Sequence, residues 1–209
     1  MATAITVSAL LGYLLGALSP AALLDKLKHA NLRKKGTRNL GATNTALVLG
    51  KKWGIAVMVF DILKAFLAVH LAGWIFPLFS VVRPIAGTAA VLGHVLPFYL
   101  RFKGGKGLAA FGGMVLALDP LMFLLLLGIA IVLMLIFNYG VCTPISAGIL
   151  FPILYGFKYY DLWGTVVVAV AGIVIVVKNA AGIGRVRRGE EMGARTGLKR
   201  FFAGKFRAE

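Results

Sequence analysis

An all-α membrane protein of seven transmembrane segments, some of them short or broken, is what this 209-residue sequence predicts, on three observations. Hydrophobic residues make up 60% and charged residues 14%, a balance too apolar for a water-soluble domain of this size. Apolar runs of membrane-crossing length recur along the chain. The basic residues cluster in alternate connections: eight lie within residues 26–52, three within 101–106 and nine within 178–207, leaving only Lys64, Arg83 and Lys158. This distribution, more than the net charge of +16, marks loops that share one side of a membrane and face anionic lipid. It argues against nucleic acid as a partner, because no continuous basic face with interleaved stacking aromatics is apparent.

The segments follow in order. Residues 3–24 form the first; without a basic n-region they do not read as a cleavable signal and are expected to remain as a span, and seven segments starting from an N-terminus outside put all three basic regions on one side. Residues 53–79 form the second, interrupted by Asp61, Lys64 and His70. Asp61 and Lys64 stand at i,i+3, where an ion pair offsets the roughly 2.5 to 3.5 kcal/mol that one charge costs inside a span. Residues 83–100 form the third. Residues 108–118 are only 11, about 16 Å of helix, and cannot cross a hydrocarbon core of roughly 30 Å. A short helix enclosed by protein is expected there, ended by Asp119 and Pro120. The uncharged stretch 120–157 is divided by NYGVCTP at 138–144 into spans at 121–137 and about 143–157. Residues 162–177 complete the seven and leave the C-terminus cytoplasmic. Tyr159, Tyr160 and Trp163 suit an outer interfacial belt, and Gly128, Gly148 and Gly172 predict close helix packing.

Residues 1–191 are read as one domain and 192–209 as a basic, aromatic tail, in which Phe201, Phe202 and Phe206 suggest a membrane-surface helix. The lone Cys142 excludes an internal disulfide and reads as a packing residue. His94 has no nearby His, Cys, Asp or Glu to complete a metal shell, so no metal is expected.

Two strings carry chemistry. KGGKG at 103–107 lacks side chains at two positions, so consecutive amides are expected to converge on a phosphate while Lys106 adds a compact charge. GTRNLGATN at 36–44 offers hydroxyl and amide groups flanked by Arg33, Lys34, Lys35 and Arg38. It fits a phosphate or polyol site, and equally a turn with Thr43 or Asn44 as a helix N-cap.

Those strings, with GALSPAALLDKL, GKKWG, FDILKAF, VLGHVLPFYLRFKGGKGLA and NAAGIGRVRRGEE, resemble the bacterial PlsY-type glycerol-3-phosphate acyltransferases over residues 16–191. GATN, GHxxP and FKGGKG together are specific to that family. The resemblance implies a multi-pass enzyme of the bacterial cytoplasmic (inner) membrane with its active site facing the cytoplasm. It would move an acyl group from acyl phosphate to the sn-1 hydroxyl of glycerol 3-phosphate, without a cofactor. Membrane lipids and a soluble acyl-phosphate-producing enzyme are the implied partners. By position, Thr37, Arg38, Asn39, Thr43, Asn44, Gly104, Gly105, Lys106, Arg185 and Glu191 are implied to bind substrate phosphates, and His94 and Asn179 are catalytic candidates.

The sequence departs from the family pattern at several places. Thr37 and Arg38 stand where it has serine and glycine, Leu47 where an arginine is common, and Asn179 and Gly182 where histidine and asparagine are usual. No histidine here has an aspartate five positions later, since His29, His70 and His94 are followed at that spacing by Lys34, Ile75 and Tyr99. No GxSxG elbow occurs either. An acyl phosphate is already a mixed anhydride, so catalysis by positioning and charge neutralisation is expected, with the donor's phosphate oxygen taking the hydroxyl proton. The rival readings are a divergent or inactive paralogue acting on another lipid phosphate, a non-catalytic scaffold, and a lipid or solute transporter.

Overall fold

The computed structural model describes residues 1–202 and is all-helical. Its helices are α1 (Ala2–Ala17), α2 (Pro20–Leu27), α3 (Ala42–Leu49), α4 (Lys51–Ile75), α5 (Val82–Val95), α6 (Leu108–Leu118), α7 (Pro120–Phe137), α8 (Cys142–Tyr159), α9 (Leu162–Arg187) and α10 (Ala194–Phe202). A 3-10 turn at Phe98–Leu100 follows α5. Among the described residues four helical stretches are long and apolar enough to cross a membrane: Ala2–Leu27, Lys51–Ile75, Pro120–Phe137 and Leu162–Arg187. The short helix expected at 108–118 is α6.

The first segment is broken. Leu18 leaves the helical conformation, Ser19 caps the restart by accepting from the Ala22 amide at 3.2 Å, and Pro20, which has no N–H to lose, opens α2. Two carbonyls freed at the break find donors: Tyr99 Oη donates to Ala17 O and Lys64 Nζ to Leu18 O, each at 2.7 Å. A break inside an apolar segment is tolerated only when neighbouring groups satisfy it in this way.

Packing at the centre depends on small residues. Gly12 and Gly16 of α1 lie directly against Ala86 and Ala90 of α5, so an added Cβ at either glycine would overlap an alanine carbonyl. Gly113 of α6 meets the backbone of α4 at Ile62, and Gly148 of α8 meets Gly172 of α9. The expectation for Gly148 and Gly172 therefore holds. Gly128 is a correction: nothing lies within 4 Å of the place its Cβ would take. Gly16→Val is expected to destabilise by about 1–3 kcal/mol through overpacking, whereas Gly128→Ala is expected to be neutral or to gain up to about 1 kcal/mol of helix propensity. Thermal unfolding of the two purified variants checks this contrast, and equal melting points would refute it.

Two further expectations are corrected. Helix α9 continues ten residues past 177 to Arg187, because charge ends a hydrophobic run without interrupting a backbone ladder. The N-cap of α3 is Gly41, and Thr43 and Asn44 lie inside its first turn. Asp119 does end α6, and it also caps α7 by accepting from the Met122 amide at 3.0 Å. Its other oxygen binds Lys158 Nζ and, at 2.8 Å, Tyr159 Oη. At the opposite end of α7, α10 is docked through Ala194 N on Asn138 O (2.6 Å) and Arg195 Nη2 on Leu135 O (3.0 Å). The tail helix is thus present, while the part of the expectation resting on Phe206 lies outside the described residues.

Candidate active site

Three connections far apart in sequence converge on one face of the bundle. The Arg33 guanidinium donates to Lys103 O at 2.7 Å, and Leu40 O lies 2.7 Å from where a Cβ on Gly105 would stand. From the third connection, Arg185 and Glu191 are close enough to Lys106 to act on its charge. The two strings singled out in the sequence therefore touch.

The glycine loop is built backwards from the expected arrangement. Arg101 and Phe102 both take left-handed conformations (φ 54° and 57°) and fold the chain back along the end of α5. There the Gly104 amide donates to Val95 O and the Gly105 amide to His94 O, each at 3.1 Å. Those amides are committed to backbone carbonyls and do not converge on a ligand. Glycine is needed because a side chain at 104 would overlap His94 O and one at 105 would overlap His94 Nε2. Gly107, at φ 87°, then makes a turn that a Cβ would strain and opens α6. Lys106 is what this loop presents.

Lys106 is half-buried. Burial holds its ammonium below the usual lysine range, the nearby positive charge of Arg185 pushes the same way, and Glu191 opposes both. Glu191 itself holds Arg185, with Oε2 2.6 Å from Nε. Glu191 orients the guanidinium, the member of the pair whose charge attracts a phosphate. Asn179 is buried and donates to Ile175 O (2.9 Å) and Lys106 O (3.4 Å). Both of its donor contacts are with backbone, through which it supports the loop.

In the first connection Asn44 is fully buried. Its Oδ1 accepts from the Thr37 amide at 2.6 Å and its Nδ2 donates to Leu32 O at 2.7 Å, so this fully buried side chain staples the loop from inside. Thr37, Arg38 and Thr43 are exposed and Asn39 half-buried. Arg38 adopts φ 58°, the conformation glycine takes without strain, at the position where the resembling family has glycine. The loop's shape is kept although a charge has been added.

Below the glycine loop lies a cluster that sequence reasoning saw only in part. Lys64 Nζ and Asp61 Oδ1 form the expected ion pair at 2.7 Å, with both side chains 3% exposed. His94 Nδ1 joins them, 2.9 Å from Lys64 Nζ and 3.2 Å from Asp61 Oδ1. The charged pair within an apolar helix was legible; its third member, from another helix, was not.

Fold and site together define a helical membrane protein in which three basic connections meet on one face. The family model described as Glycerol-3-phosphate acyltransferase matches residues 6–189, and this chain belongs to that family. It is 34% identical over 179 residues to the Glycerol-3-phosphate acyltransferase of Bacillus subtilis (strain 168), covering 85% of this chain and 91% of that protein. It is 36% identical over 183 residues to that of Aquifex aeolicus (strain VF5), covering 86% and 93%. Among solved structures it resembles PlsY (YgiH), an integral membrane glycerol 3-phosphate acyltransferase. The glycerol 3-phosphate form matches with a TM-score of 0.83 and 32% identity, over 90% of this chain and 94% of that one. The lysophosphatidic acid form matches with a TM-score of 0.80 and 31% identity over the same shares. The PlsY-type resemblance read from the motifs is borne out.

Proposed function

We propose that this protein transfers a fatty acyl group from acyl phosphate to the sn-1 hydroxyl of glycerol 3-phosphate, at a site facing the cytoplasm of a bacterial inner membrane. Counting α1 and α2 as one broken segment, α4 to α9 would bring the total to seven, and with the basic connections facing the cytoplasm the N-terminus would lie outside. The contacts that gather all three basic connections on one face support that topology. The observation that carries the reading is the direct contact of the two loops, Leu40 O on Gly105 and Arg33 on Lys103 O. Two phosphates, one from each substrate, require two adjoining cationic loops.

In the reaction the acceptor's hydroxyl oxygen forms an ester bond to the acyl carbon, and the bond from that carbon to the phosphate oxygen breaks. The phosphate leaves with the electron pair and takes the hydroxyl proton, so the products are lysophosphatidic acid and inorganic phosphate. Lys106 and the Glu191-held Arg185 neutralise the charge that develops on the leaving group. Thr37, Arg38 and Thr43, exposed on the other loop, and the half-buried Asn39 offer the groups that suit the second phosphate. No protein nucleophile or general base is required.

The test is an assay of purified protein in lipid, with labelled glycerol 3-phosphate and either acyl phosphate or acyl-CoA as donor. Labelled lysophosphatidic acid is expected from acyl phosphate alone. Product from acyl-CoA alone, or from neither donor, would overturn the proposal.

A further inference from the structure

We infer that Asp61, Lys64 and His94 form a positioning unit that seats the glycine loop, and Lys106 with it. The inference rests on the acyltransferase reading above. Lys64 carries three N–H groups, and three acceptors surround it: Leu18 O at 2.7 Å, Asp61 Oδ1 at 2.7 Å and His94 Nδ1 at 2.9 Å. Nδ1 also lies 3.2 Å from Asp61 Oδ1, so the pair engages that nitrogen in either tautomer, and the ring's other nitrogen is Nε2. That nitrogen faces the α-carbon of Gly105 so closely that not even a methyl group fits between them. One ring nitrogen is engaged by the ion pair and the other packs against the loop, so the imidazole is held between them.

The same contacts explain what the cluster does. The carbonyls that hold the loop, His94 O and Val95 O, are at the end of α5, and the imidazole fixes that end to α4 through Lys64. Lys64 also ties both to the break in the first segment at Leu18, while Tyr99 binds the adjacent Ala17 O. One ammonium group therefore registers three elements beneath the loop. Asp61 balances its charge, which keeps the assembly neutral inside the bundle.

The experiment compares His94→Asn with His94→Ala. An asparagine oxygen falls near the place of Nδ1 and accepts from Lys64, but the side chain does not titrate. Turnover is measured with acyl phosphate, and amide hydrogen exchange of residues 101–107 is measured on the same purified proteins. His94→Asn is expected to keep kcat within about tenfold of the parent and to protect the Gly104 and Gly105 amides normally. His94→Ala is expected to lose about 100-fold, mostly as a raised KM for the donor, with faster exchange at those amides. If the alanine variant does not fold, Gly105→Ala displaces the loop from the other side with His94 intact, and the same rise in exchange is expected. A His94→Asn protein as inactive as His94→Ala, with loop exchange unchanged, would overturn the inference. So would unchanged exchange in both the alanine variants. Exchange needs no turnover: an inactive parent protein would count against the donor assignment alone.

Discussion

Lys106→Met is expected to reduce turnover by about 10²- to 10³-fold or more while the protein stays folded. The magnitude is that of removing one preorganised charge from developing negative charge in a site shielded from water. Folding survives because the loop is held by backbone: its glycine amides bind Val95 O and His94 O, and Asn179 binds the Lys106 carbonyl. Methionine fills the methylene volume and removes only the charge. The parent enzyme should also show where that charge is lost. A lysine is charged below its pKa, and burial followed by Arg185 lowers this one, so activity should decline at a lower pH than an ordinary lysine would give. Glu191→Gln removes the one opposing charge and should move the alkaline limb lower still. Melting curves together with pH profiles of kcat/KM check both parts. Normal turnover in Lys106→Met would sink the assignment of Lys106, and an alkaline limb that rises in Glu191→Gln would contradict the electrostatics.

Lys64→Met is expected to destabilise the protein by about 3–5 kcal/mol, the cost of leaving one member of a buried pair without its partner. Both side chains are almost inaccessible, and α4 offers Asp61 no route to water. The double variant Asp61→Asn/Lys64→Met carries no isolated charge, so it should lose clearly less than the two single variants summed. Unfolding of the four proteins in one detergent measures this. Additive losses would mean that the two groups do not act as a pair.

Elements set by local composition were legible before the structure. The bounds of α6 follow from a glycine turn on one side and Asp-Pro on the other, and the Asp61–Lys64 pair follows from helical spacing. What resisted reading depends on partners distant in the chain. Asn44 offers the same amide whether it binds a phosphate or staples Thr37 to Leu32, and only the fold shows that it does the second. The glycines at 104 and 105 likewise look like an anion cradle, and the imidazole that demands their smallness comes from the end of α5. The extension of α9 was hidden for a different reason: hydropathy ends at Lys178, while the hydrogen bonds do not. The break at Leu18 did have a local signal, the Ser-Pro pair, within a run apolar enough to mask it.

The unequal lengths of α6 and α7 have a consequence for how the reactants meet. Both helices meet at Asp119, but α6 extends about 16 Å from there to the glycine loop, and α7 about 27 Å to Asn138, where α10 is docked. With the two helices side by side in a bilayer, the loop would stand on the order of 10 Å short of that rim, toward the acyl tails. Under the proposed acyl transfer, a greasy donor would slide in sideways with its chain still in the leaflet and never be extracted into water. The small polyol would be the reactant that travels, descending past the basic loops to a partner already at the right depth.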